Sequence, residues 1–177
     1  MRLIAVFIVL FTTVVFAAEP ASDMMEVVDS FYNTYLAVQP SGIPTAKEME
    51  NFNPYFTAGL VKLLQQADQA EQKYHEQTKG EVPPLVEGDL FTSLFEGATN
   101  FKVLLCEIKT GSCLVELSYV AQEKTSSPTI WKDKVYLVKT ARGWQIDDIE
   151  FLGEWQFMHR GRLQDLLEQV VMEGNND

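Results

Sequence analysis

The side chains best suited to acid-base chemistry lie near the end of the sequence, at Asp147, Asp148, Glu150 and Glu154. Two carboxylates beside an apolar pocket can act as general acid and general base when burial separates their pKa values. Asp147 and Asp148 are therefore the catalytic pair of one hypothesis, a small hydrolase, isomerase or dehydratase that uses a pocket carboxylate.

A structural role for Asp147 and Asp148 competes with this hypothesis. Consecutive residues of a strand point to opposite faces, and the apolar residues around this pair do not alternate strictly. The pattern predicts a β-bulge at Asp147-Asp148. We expect one carboxylate to accept backbone hydrogen bonds at the bulge and the other to be solvated. We favour this structural interpretation, under which the sequence predicts no catalytic residue.

A second polar group, Asp89, Thr92 and Ser93, lies beside Phe91 and Phe95. A nucleophilic hydroxyl needs a base within about 3 Å, usually His, and nothing in the spacing connects either histidine of the chain to this group. We expect the polar side chains to cap a turn that the two phenylalanines attach to the core.

The segment 153–162 contains Trp155, Phe157 and His159 together with two arginines. Aromatic residues and Arg are favoured at the centres of protein interfaces, so these three residues are the candidate ligand-binding or partner-binding residues. The alternative is that the aromatic side chains close the open end of a sheet.

The two cysteines, Cys106 and Cys113, precede and follow a short turn between two segments with strand character, 101–108 and 113–120. If the loop between the strands is 108–111, the cysteines lie opposite each other and can form a disulfide, whereas a two-residue turn would stagger the thiols. We predict the disulfide. A structural zinc site needs four Cys or His ligands, which the chain lacks at suitable positions, and no metal or cofactor is expected.

The N-terminus has the pattern of an export signal. Arg2 is followed by 14 uncharged, mostly apolar residues, from Leu3 to Phe16. A membrane-spanning helix needs about 20 apolar residues, so we predict a signal peptide, 1–17, cleaved after Ala17, with an uncleaved anchor as the alternative. The product is expected to be a soluble periplasmic protein without a permanent membrane anchor, in a compartment that oxidises thiols.

Composition narrows the class of protein further. A chain of 177 residues predicts one domain after the signal peptide, 18–177. Hydrophobic residues make up 46% of the chain, which is enough for a core. The chain has 14 Lys and Arg against 25 Asp and Glu, a formal net charge of −11 at pH 7. This charge argues against nucleic-acid binding.

Helix-like segments precede strand-like ones along the chain. Apolar residues recur at helical spacing over 22–39, from Pro54 to Tyr74 and over 163–171, and a capping box at Thr45–Glu48 predicts one more short helix. The predicted strands are 101–108, 113–120, 130–140 and 143–151. This order predicts an α+β fold with helices packed on a curved antiparallel sheet of about four strands.

Three motifs also carry a family resemblance: GDLFTSLFEG at 88–97, GWQIDDIE at 143–150, and GRL at 161–163 followed by a Leu-Leu pair. They resemble the YbjP-type family of small bacterial envelope proteins, a domain of unknown function in the nuclear transport factor 2-like superfamily. The resemblance covers nearly the whole mature chain and implies a cone-shaped sheet backed by helices. It supplies no catalytic residue. Some relatives are lipoproteins, but this chain has no Cys at the cleavage junction.

Together these features favour a non-enzymatic, exported binding or accessory protein. It is expected to recognise a protein of the cell envelope, or a small apolar ligand, through the concave face of the sheet or its rim. One specific form is an immunity or inhibitor protein, because a strongly negative chain is steered toward a basic toxin.

Overall fold

The computed structural model describes residues 20–82, 84–121, 127–155 and 159–175. The predicted signal peptide, its cleavage site after Ala17, and Phe157 lie outside these residues. Within the described part of the chain, no helix is long and apolar enough to cross a membrane. The elements, in chain order, are α1 (Pro20–Val38), α2 (Ala46–Phe52), α3 (Ala58–Gln77), β1 (Asn100–Glu107), β2 (Ser112–Tyr119), β3 (Thr129–Thr140), β4 (Gly143–Phe151), β5 (Gly161–Arg162) and α4 (Leu163–Glu173).

The strands form one curved antiparallel sheet in the order β1-β2-β3-β4-β5. Helix α1 packs across β1, β2 and β4, while α3 and α4 pack on each other and on β4. This confirms the predicted α+β fold. The sequence analysis missed β5, whose two residues pair with Glu150 and Phe151 at the end of β4.

Helix α3 begins at Ala58 and not, as predicted, at Pro54, because the residues between them pair with the sheet. Thr57 N–H donates to the carbonyl of Ile146 at 2.9 Å, and Ile146 N–H donates to that of Tyr55 at 2.8 Å. Thr57 then caps α3, its hydroxyl accepting from Leu60 N–H at 3.2 Å. The capping box predicted at Thr45 is confirmed at the start of α2.

Aromatic side chains fill the space between the helices and the sheet. The ring of Phe31 in α1 lies 5.4 Å from that of Phe56 and 5.5 Å from that of Phe91, centroid to centroid, and all three side chains are fully buried. Burying one such ring contributes about 1.5–3 kcal/mol. The chain's own side chains therefore fill the space between the sheet and the helices that pack on it.

Two β-bulges interrupt the strand ladders. In β4, Asp148 lies opposite Tyr136 and Ile146 opposite Leu137, so Asp147 is the extra residue and the predicted bulge is confirmed. The bulge in β1, at Leu104, was not predicted. Bulges bend strands and increase their twist, which suits a curved sheet.

The β1–β2 hairpin has the four-residue loop on which the disulfide prediction depends. Glu107 pairs with Ser112 and Cys106 with Cys113, and the two cysteine Cα atoms are 4.0 Å apart. The sulfurs are at bonding distance, so the predicted pairing is confirmed.

Replacing both cysteines, Cys106→Ser with Cys113→Ser, should lower the free energy of unfolding by about 2 kcal/mol, because the unfolded chain regains the entropy that the cross-link removes. Urea denaturation measures the change, and circular dichroism should show unchanged secondary structure. Reduced wild-type protein should match the double variant. Equal stability of the oxidised and reduced proteins would contradict the prediction.

Candidate functional site

One end of the sheet, which we call the rim, combines the loop 88–97 with three neighbouring segments. Pairing of Ser118 with Ile130 and of Asp133 with Phe151 brings the end of β2, the start of β3 and the end of β4 together. The rim comprises the loop 88–97, Tyr119–Val120, Ile130–Lys132 and Leu152–Trp155.

Hydrogen bonds to Asp133 hold the loop 88–97 on the sheet. Its fully buried carboxylate accepts hydrogen bonds from the hydroxyl and the N–H of Ser93, from Trp131 Nε1–H at 3.0 Å and from Leu152 N–H at 3.0 Å. Burial raises the pKa of this carboxyl above its usual range. The sequence analysis did not single out Asp133. The sequence does mark Asp133 in one way: it is an acidic residue that alternates with Trp131 and Val135 on the buried face of β3.

Asp89 fixes the conformation of the loop itself. Its carboxylate accepts from the N–H groups of Phe91 at 2.8 Å and Thr92 at 2.6 Å, which is the turn cap expected from the sequence. It also accepts from the Tyr35 hydroxyl at 2.5 Å, and that hydroxyl accepts from Ala98 N–H at 2.9 Å. Burial raises the pKa of Asp89 to about 6. The sequence analysis did not connect Tyr35 of α1 with this loop.

The two phenylalanines of the loop differ in burial. Phe91 is fully buried in the core as expected, but 47% of Phe95 is exposed, so the expectation that both attach the loop to the core is wrong for Phe95. The backbone accounts for this position, since Asp89 N–H donates to the Phe95 carbonyl at 2.9 Å and turns the side chain outward at the end of the loop.

His159 connects the chain after β4 to the loop. Its Nε2 lies 2.6 Å from the Asp89 carbonyl oxygen, its N–H donates to the Ser93 carbonyl at 3.3 Å, and its half-buried ring is 5.4 Å from that of Phe151. These contacts are structural. Its predicted part in binding stays a prediction.

Trp155 borders a groove of about 560 Å³ at the rim, which we call the Trp155 groove. Its apolar walls include Ile130, which is 57% exposed, and Leu152, which is 38% exposed. The Trp155 ring is only partly buried and packs edge-on against Trp131, with the centroids 5.7 Å apart. The groove also contains Lys132 and Glu154.

Asp147 and Asp148 each join the β4 bulge to a helix. Asp148 is buried and accepts from Gln164 N–H at 3.1 Å, in the first turn of α4, and Arg162 Nη1 lies 3.4 Å from its other oxygen. Asp147 accepts from the hydroxyl of Thr57, the N-cap residue of α3, at 2.7 Å. Asp148 also accepts from Ile149 N–H at 2.9 Å, so it accepts backbone hydrogen bonds at the bulge as expected. Asp147 is half-buried, and its carboxylate is hydrogen-bonded as well as partly accessible to solvent.

No protein-family model matches the chain, and no curated protein matches it. The resemblance to the YbjP-type family therefore stays a prediction. In the part of the chain that the structure describes, no group of three or more His, Cys, Asp or Glu side chains is placed to hold a metal ion.

Replacing Asp148 by Ala should lower the free energy of unfolding by about 1–2 kcal/mol. The first turn of α4 then loses its side-chain acceptor, since the N-cap residue Arg162 supplies none. Asp165→Ala is the matched control, because Asp165 is an exposed carboxylate in the same turn. Chemical denaturation of both variants measures the difference, and equal losses would refute the anchoring role.

The buried carboxyl groups should make the protein more stable in mild acid. Asp89 has a higher pKa in the folded chain than in the unfolded chain, so the folded state binds the proton more tightly. Its stabilising effect is complete below pH 4 and is lost as the pH rises through about 6. The raised pKa values of Asp133 and Asp148 act in the same direction.

We therefore expect the free energy of unfolding to be higher at pH 5 than at pH 7.5, with about 1 kcal/mol of the difference from Asp89. Denaturation across this pH range measures it. Asp89→Asn keeps an oxygen for the two loop N–H groups but cannot titrate, so its pH dependence should be weaker. Parallel profiles for the variant and the wild type would contradict the assignment.

Proposed function

We propose that this chain is a non-enzymatic binding protein of the bacterial cell envelope, periplasmic after export, that recognises a protein partner with the rim. The observation that carries the proposal is the Trp155 groove, where Trp155, Ile130 and Leu152 present partly exposed apolar surface to solvent. The face of the sheet on which the helices pack, by contrast, is covered by the protein's own aromatic side chains, which favours the rim over an internal apolar ligand.

The groove has the composition and rigidity of a recognition surface. Apolar and aromatic side chains form its walls, and Lys132 and Glu154 add charge, as in interfaces with an apolar centre and a polar periphery. Asp133 holds both Trp131 and the backbone of Leu152. A partner would therefore lose little free energy in ordering these groups.

An envelope location is consistent with two features. The apolar segment from Leu3 to Phe16 has the length of a signal-peptide core. The disulfide between Cys106 and Cys113 is of a kind that persists in oxidising compartments such as the periplasm. An immunity or inhibitor protein is the most specific form of the proposal, because the net charge of −11 would accelerate association with a basic toxin.

The enzymatic alternative now has a better candidate than Asp147 and Asp148. Asp89 lines a cavity of about 450 Å³, and its pKa of about 6 suits a proton acceptor or donor near neutral pH. Its oxygens already accept from the Tyr35 hydroxyl and from two N–H groups of the loop, which favours a structural role. Any hydrolase, isomerase or dehydratase activity would have to be abolished in Asp89→Asn.

Replacing Trp155 by Ala should remove partner binding at the rim. The tagged protein would be purified from mildly cross-linked envelopes of the cells that make it, and quantitative mass spectrometry would compare the co-purifying proteins. We expect a stoichiometric partner with the wild type and about tenfold lower recovery with Trp155→Ala, the loss typical of an interface anchor.

Met172→Ala is the matched control, since Met172 is 60% exposed in α4 and lies outside the rim. It should leave recovery unchanged. Thermal melts verify that both variants are folded. Partner recovery that is insensitive to Trp155→Ala, or equally reduced by both substitutions, would overturn the proposal.

A further inference from the structure

Phe95 lies between two cavities that carry carboxylates and no cation. The cavities have volumes of about 450 Å³ and about 460 Å³, and Phe95 borders both. Among the described residues that line them, none is Lys or Arg. The carboxylates of their walls are those of Asp68, Glu71, Glu87, Asp89 and Glu96. We call Phe95 and these five residues the Phe95 surface.

The Phe95 ring is exposed on one side and packs closely on the backbone of Gly88. A Cβ atom at Gly88 would lie 2.6 Å from Phe95 Cδ2 and 2.6 Å from the Phe95 carbonyl oxygen, so only glycine allows the ring to pack this closely. Gly88 also has a φ of +76°, which disfavours other residues. An exposed aromatic ring held by the backbone loses little side-chain entropy when a partner covers it.

The carboxylates around Phe95 leave negative charge without a counter-ion. None of the five takes part in the ion pairs of the described chain, which join Lys134 to Glu150, Lys139 to Asp23 and Arg162 to Asp148. Glu71 and Asp89 are hydrogen-bonded to backbone N–H groups of their own chain.

Glu87 and Glu96 remain exposed. They are thus the carboxylates of the Phe95 surface most free to meet a cation from outside.

We infer that the Phe95 surface binds a basic protein segment and takes an arginine side chain over the Phe95 ring. A guanidinium group can stack on an aromatic face and donate to carboxylates beside it. Phe95 lines one cavity together with Glu96 and the other together with Glu87, so a carboxylate is available on either side. The inference rests on the proposed function and adds to it the surface that meets a basic partner and the side chain that this surface takes.

A titration with a short arginine peptide tests the inference directly. The probe is the pentapeptide Gly-Arg-Gly-Arg-Gly with blocked ends, added to the ¹⁵N-labelled chain with its disulfide intact, at low salt. We expect saturating amide shifts at Gly88, Phe95 and Gly97, with a dissociation constant in the millimolar range. Binding should weaken at about 0.15 M ionic strength, because exposed charges are then screened.

Two double variants separate local recognition from overall charge. Glu87→Gln with Glu96→Gln should raise the dissociation constant about fivefold, as expected for two exposed ion pairs. Glu168→Gln with Glu173→Gln removes the same charge from exposed positions of α4 and should change it little. Phe95→Leu should weaken binding of the arginine peptide, because the aromatic face is lost.

The inference is overturned if the peptide produces no saturating shifts, if both double variants weaken binding equally, or if the same peptide with Glu in place of Arg binds as tightly. Failure of the proposed function is distinguishable from these results. Suppose that Trp155→Ala leaves partner recovery unchanged while the arginine peptide still binds in the way described. The Trp155 groove is then excluded as the partner-binding site, and the binding of a basic segment by the Phe95 surface is still supported.

Discussion

The hydrogen bonds between the buried carboxylate of Asp133 and Ser93 hold the loop 88–97 on the sheet, and the shape of the rim depends on them. A carboxylate without partners inside a protein costs several kcal/mol, so the loop cannot lift away without a large loss of stability. The same carboxylate holds Trp131 and the backbone of Leu152. One side chain of β3 thus fixes both the loop that carries Phe95 and a wall of the Trp155 groove.

The acidic residues of this protein have two separate roles. Asp89, Asp133 and Asp148 are buried, and they join the loop to α1, the loop to β3 and the bulge of β4 to α4. Exposed carboxylates such as Glu87 and Glu96 have no such structural partner and are available for recognition. Net charge alone does not distinguish the two groups, although only the exposed carboxylates can contact a partner directly.

Local patterns in the sequence predicted local features correctly. The segments around Cys106 and Cys113 predicted the hairpin and its disulfide, with the observed register as one of two alternatives. The interrupted alternation at Asp147 predicted the bulge. Both features depend on strand pairing and side-chain alternation over a few residues. The bond from Tyr35 to Asp89 joins residues 54 positions apart, and that from Ser93 to Asp133 joins residues 40 apart. No local pattern reports such contacts, so the architecture of the rim had to come from the structure.

The bulge at Leu104 has a consequence for the behaviour of the protein at high concentration. Strand β1 is an edge of the sheet, and an unbroken edge strand is a template on which a strand from another molecule can pair. The bulge breaks the regular spacing of backbone donors and acceptors along β1, and the exposed Lys102 and Glu107 add charge to the same strand. The bulge and the charges therefore disfavour the pairing of β1 with a strand of another copy, and with it β-aggregation through this edge.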